Sequence, residues 1–64
     1  MDREEQARSH PIRARLLALY EKDPQRSLAP KELTQEFPDQ LVTASSLSYH
    51  LRVLRDAGLL PKGD

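Results

Sequence analysis

The run TASSLSYHLRVLRDAGLL, Thr43 to Leu60, carries the start of a helix, its two faces and its stop in one uninterrupted piece. Thr43 is a hydroxyl residue of the kind that accepts bonds from the first free backbone N–H groups of a helix. Ala57-Gly58-Leu59 is a stop: glycine supplies the left-handed residue past the last turn, and the next leucine folds back on it. Leu47, Leu51 and Leu54 recur at spacings that put them on one face. Ser45, Ser48, Tyr49, Arg52 and Arg55 carry the opposite, polar face. The spacing predicts a helix over 44–57 with an apolar seam and an outer face of hydroxyls and guanidiniums. Such a face suits an ordinary solvated surface or a nucleic-acid groove, and the remaining chain bears on that choice.

Upstream, Pro30 stands at the start of a short helix over Lys31 to Phe37, with Leu33 and Phe37 pointing inward and Pro38 as the stop. Leu41 and Val42 are apolar residues that pin the following turn to the core. Earlier still, Ser9-His10-Pro11 reads as a helix start, with Ser9 as the capping candidate. Ile12, Leu16, Leu19 and Tyr20 form one stripe with Leu17 beside it, and Asp23-Pro24 ends the helix. Gln25 to Ala29 is a connector with Leu28 pointing inward in a very short extended piece. At the N-terminus, Asp2 caps a weak helix over Arg3 to Arg8, whose apolar members are Met1 and Ala7; it frays alone or docks on a partner.

The expected fold is all-α: three main helices plus a short N-terminal one, in the order helix, helix, short helix, turn, helix. A short helix, a brief turn and a longer helix with a polar outer face make a helix-turn-helix. The expected organisation is an N-terminal extension or short helix over 1–9, a folded unit over 10–60 and a polar tail over 61–64. Its expected core is Ile12, Leu16, Leu19, Leu28, Leu33, Phe37, Leu47, Leu51, Leu54 and Leu59.

Composition narrows the function. At 64 residues, 38% apolar and 5% aromatic, the chain supports one small, leucine-rich core. It has no cysteine, so disulfides, thiolate metal sites and cysteine nucleophiles are excluded. His10 and His50 without clustered carboxylates make no tetrahedral metal site, and no orienting acid accompanies them for catalysis. We expect His50 to be a partly buried, hydrogen-bonded structural residue beside the Leu51 seam. No enzyme activity, cofactor, metal or membrane segment is expected, no small-molecule effector is evident, and the default location is the cytoplasm. Ten basic residues balance ten acidic ones, whereas a nucleic-acid footprint is normally basic. The distribution is uneven, however: Glu32, Glu36 and Asp39 precede the last helix, and Thr43 to Arg55 holds no acid at all.

Two segments carry a resemblance. His10-Pro11-Ile12-Arg13 followed by Leu16-Leu17, and Ser48-Tyr49-His50-Leu51-Arg52-Val53-Leu54-Arg55-Asp56-Ala57-Gly58-Leu59-Leu60, resemble the ArsR-type winged helix-turn-helix transcriptional regulators over His10 to Leu60. The resemblance implies a dimeric regulator that binds double-stranded DNA, with the helix over 44–57 as recognition helix and Pro30 to Phe37 as its support. It implies DNA-facing roles for Ser45, Ser46, Ser48, Tyr49 and Arg52. Arg55 and Lys31 are further candidates for phosphate or base contact, and Arg13 is one for an intramolecular or dimer contact. Leu17 and Ala14, with the N-terminal helix, form the suspected dimer rim. The chain departs from the family pattern in a longer turn over Pro38 to Val42, in a support helix without the metal-sensing cysteines, and in ending where a wing and a dimerising helix would follow. A shortened chain or a wingless form is expected, and the alternative function is a winged-helix-derived protein-interaction module that does not bind DNA.

Overall fold

The computed structural model describes residues 2–38 and 42–61, and among them every regular element is helical. The helices are α1 (Arg3–Arg8), α2 (Pro11–Lys22), α3 (Pro30–Leu33) and α4 (Ala44–Asp56), with a 3-10 turn over Thr34–Glu36 directly after α3. The all-α expectation holds, with all the expected helices present. The expectations for Met1, for Leu41 and its turn, and for the tail from Lys62 lie outside the described residues.

Local chemistry accounts for each boundary. The Asp2 carboxylate accepts the Glu4 N–H at 3.3 Å, and Glu4 and Glu5 lie in the first turn of α1, where the helix dipole favours negative charge. The cap of α2 is His10 and not the expected Ser9: imidazole Nδ1 accepts the Ile12 N–H at 3.2 Å. Ser9 is occupied in the preceding turn, where its Oγ donates to the Gln6 carbonyl at 2.7 Å. Asp23 closes α2, and its carboxylate takes the Gln25 N–H at 3.2 Å as the chain turns through Pro24. Leu28 is half-buried in a connector without regular structure, beside Ala29, whose backbone is extended at φ −68° and ψ 124°.

The support helix is not continuous over Lys31 to Phe37. It is α-helical only to Leu33 and then tightens into the 3-10 turn. Thr34 Oγ1 donates to the Lys31 carbonyl three residues back at 2.7 Å, a local bond that competes with regular helix bonding. Pro38, with no N–H to give, follows at once. Leu33 and Phe37 nevertheless both reach the interior.

α4 is the centre of the fold, packing against α1, α2 and α3. Thr43 Oγ1 accepts the Ser46 N–H at 3.1 Å and starts it. At its far end Gly58 has φ +80°, and the N–H groups of Gly58 and Leu59 donate to the carbonyls of Arg55 and Leu54, both at 3.0 Å. Those two bonds are the reciprocal pair of a glycine-terminated helix, as the Ala57-Gly58-Leu59 run predicts.

The buried core comprises Ala7, Leu16, Leu17, Leu33, Phe37, Leu47, Leu51, Leu54 and Leu60. Ile12, Leu19, Leu28 and Leu59, all expected inside, are half-buried at its margin. The weak helix α1 docks on its own chain through Ala7, which is 1% exposed, rather than fraying or awaiting a partner. Leu17 is covered within the monomer, so the suspected dimer rim loses its larger apolar member and keeps the exposed Ala14 with the outer side of α1. Arg26 pairs with Glu36 across the connector, and the Arg15 guanidinium lies 5.8 Å over the Phe37 ring, closing the side of the core next to α3.

Candidate nucleic-acid interface

The two faces of α4 differ as its sequence predicts. Leu47, Leu51 and Leu54 are at most 1% exposed, so the helix is held rigidly along its inner side. Ser45, Ser48, Tyr49 and Arg52 are exposed in one continuous outer stripe, and Tyr49 is the large apolar-bodied residue most open to solvent, at 60%. From Ser45 to Arg52 the stripe runs about 10 Å along the axis at the usual helical rise. Its groups are two hydroxyls, a phenol and a guanidinium, and no carboxylate occurs on α4 before Asp56.

The other named candidates lie off this stripe. Ser46 is half-buried at the first turn, where its N–H is held by Thr43. Arg55 is also half-buried, and its Nε is covered without an acceptor, so its side chain lies along the body of the domain instead of standing free on the polar face. Lys31 is exposed on α3, a separate element that packs against α4. The fold therefore brings together Ser45, Ser48, Tyr49 and Arg52 and sets Ser46, Arg55 and Lys31 around them.

His50 occupies the inner side, 7% exposed, with the Tyr49 ring edge-on at 5.5 Å between centroids. It is buried as expected but not hydrogen-bonded through Nδ1, which has no partner; its ring packs instead on that of His10. Burial, then the neighbouring His10, then Arg13 hold its pKa below the usual histidine value. Arg13 is half-buried and lines a cleft with Arg3, Gln6, Ala7, Tyr49 and Val53. Sequence reasoning gave Arg3 and Gln6 no role, because nothing local indicates that α1 closes over α4. The available signal was Ala7, a small apolar residue in an otherwise charged turn.

Among the described residues, no group of three metal-ligating side chains converges, and no helix is long and apolar enough to cross a membrane. A family model described as a helix-turn-helix domain matches residues 9–60. No curated protein and no solved structure matches the chain.

Proposed function

We propose that this chain, which belongs to the helix-turn-helix domain family, is a sequence-specific DNA-binding transcriptional regulator of the ArsR-like class. The observation that supports this reading is the outer stripe of α4: polar, acid-free side chains on a helix whose opposite side is fully anchored. Rigid anchoring matters because base readout requires donors held in register with base edges.

In this reading the segment 44–57 lies in the major groove. Arg52 gives a guanidinium to a guanine edge, and Ser45 and Ser48 donate to phosphate or base oxygens. Tyr49 packs on sugar or a thymine methyl. Ser46, Arg55 and Lys31 serve as flanking contacts to the backbone. The reading unit is 10–60, with 1–9 as an extension that buttresses α4 and 61–64 as a tail. One stripe this short makes few contacts, so two copies on two half-sites are the functional unit.

The test is selection of bound sequences from a random duplex pool, followed by titration of the selected site at several salt concentrations. Lys31, Arg52 and Arg55 are the cations assigned to DNA. With Arg52 on a base edge, Lys31 and Arg55 neutralise two phosphates per copy, which gives a slope of about −1.8 per copy in log affinity against log salt. The selected site should be a repeated or two-fold half-site. Failure to enrich any sequence, together with no binding at low salt, would reassign the stripe to a protein partner, the reading that zero net charge favours.

A further inference from the structure

Between α1, α2 and α4 lies a cleft of about 260 Å³, lined by Arg3, Gln6, Ala7, Arg13, Tyr49 and Val53. Two of these six side chains are guanidiniums and none is a carboxylate. Among the described residues the only ion pair is Arg26 with Glu36, so Arg3 and Arg13 have no acidic partner there. Arg13 is the more telling of the two, since its Nε is buried and lacks an acceptor. An unmade hydrogen bond on a covered, charged donor is more costly than one on a neutral group. Its positive charge also reaches the interior, where it helps to lower the His50 pKa.

We infer that this cleft binds a small organic anion: a carboxylate or similar oxyanion carried on one ring or a short chain. The walls separate the ligand chemistry into two parts. The guanidiniums of Arg3 and Arg13 meet the oxyanion, for which paired N–H groups provide matching geometry. Ala7, Val53 and the Tyr49 ring meet the apolar body, and the Gln6 amide and Tyr49 hydroxyl supply neutral polar contacts. A cation is excluded by the two like charges. A neutral ligand leaves the guanidiniums without a counter-charge. The volume lies below the roughly 300–1,000 Å³ of drug-sized sites, which limits the body to a single ring or a few methylenes.

The site has a direct route to the outer face. Tyr49 belongs both to the cleft and to the exposed stripe, so a ligand seated against its ring changes what that stripe presents. Whatever binds the stripe must in turn alter the affinity of the cleft by the same factor. The cleft itself rests on the packing of α1, α2 and α4 alone and does not depend on the stripe reading DNA.

The test is a chemical-shift titration of the full chain, ¹⁵N-labelled, with benzoate, its neutral counterpart benzamide, and inorganic phosphate. Benzoate should shift the amides of Ala7, Arg13, Tyr49 and Val53 saturably, with benzamide and phosphate each about tenfold weaker or worse. Arg3→Gln, on the exposed side of α1, should weaken benzoate without changing the melting temperature. Val53→Phe should block the site while keeping both arginines. Arg13→Gln should abolish binding, with helix content checked by circular dichroism. Absence of saturable shifts with benzoate, equal binding of benzamide or of phosphate, or indifference to Arg3→Gln and Val53→Phe would overturn the inference. Shifts at these amides produced by duplex DNA but by no small anion would also overturn it and give the cleft to the nucleic-acid interface.

Discussion

The His10 and His50 rings lie 4.5 Å apart between centroids, tilted by 44°, joining the first residue before α2 to the inner face of α4. Each ring has a second duty. His10 caps α2 through an unprotonated Nδ1, and His50 fills the core beside Leu51 with its own Nδ1 unpartnered. Arg13, from the first turn of α2, adds a positive charge beside the pair. A proton is therefore unwelcome at His50 for three reasons acting together: loss of water, a second imidazole and a guanidinium.

This arrangement makes stability depend on pH. Because the folded pKa of His50 lies below its unfolded value of 6.5, the unfolded chain binds more protons as the solution is acidified. The stabilisation is complete above about pH 6.5 and is lost as pH falls through the lowered folded pKa. Denaturant titrations between neutral and mildly acidic pH should show stability falling toward acid, and the total loss measures the depression at about 1.4 kcal/mol per pH unit. His50→Phe should flatten much of this dependence. An unchanged slope in that variant would show that other groups carry it.

Arg52 is exposed and, among the described residues, has no hydrogen-bond or ion-pair partner that its removal would break. Arg52→Ala should leave the melting temperature within error while lowering discrimination at one base position by about 1–3 kcal/mol. Arg52→Lys should restore salt-dependent affinity more than sequence preference, because an ammonium lacks the planar fork. Unaltered affinity and preference in Arg52→Ala would remove this face of α4 from DNA recognition.

Leu51 sits on α4 at 1% exposure, on the helix that touches every other. Truncating a buried leucine costs about 2–5 kcal/mol, comparable with the whole stability of a domain this small. Leu51→Ala should therefore be largely unfolded by circular dichroism at room temperature. A cooperative melt close to the wild type would show that the α4 seam is not the centre of the core.

Gly58 adopts φ +80°, and no atom of the described residues lies within 4 Å of the place a Cβ would occupy. The cost of Gly58→Ala is thus conformational rather than steric, about 1–2 kcal/mol for the left-handed backbone. Gly58→Asn should cost less, since asparagine visits that region more readily. Equal stability of all three chains would mean that α4 ends by another route.

The anatomy of α4 was legible from residue order because its determinants are local. A capping threonine, leucines at helical spacing and a terminal glycine act within a few residues of one another, and the structure has all of them in place. The prolines that open α2 and α3 are legible for the same reason. Ser9 against His10 marks the edge of that reasoning: both stand before Pro11, and the choice depended on Ser9 already bonding backward to Gln6.

Periodicity by itself determined which residues of this chain share a helical face. Tertiary structure alone decided which part of each face is covered. Leu17 is buried and Leu19 only half so, Leu60 is buried more fully than Leu59, and Arg55 is drawn off the polar stripe that Arg52 keeps. The same step set α1 against α4, opening the cleft beside Tyr49, and brought His10 against His50. The physical reason is that a helix repeats its own geometry from residue to residue. The direction from which a second helix arrives is set by contacts between residues far apart in the chain, and no local pattern encodes that angle.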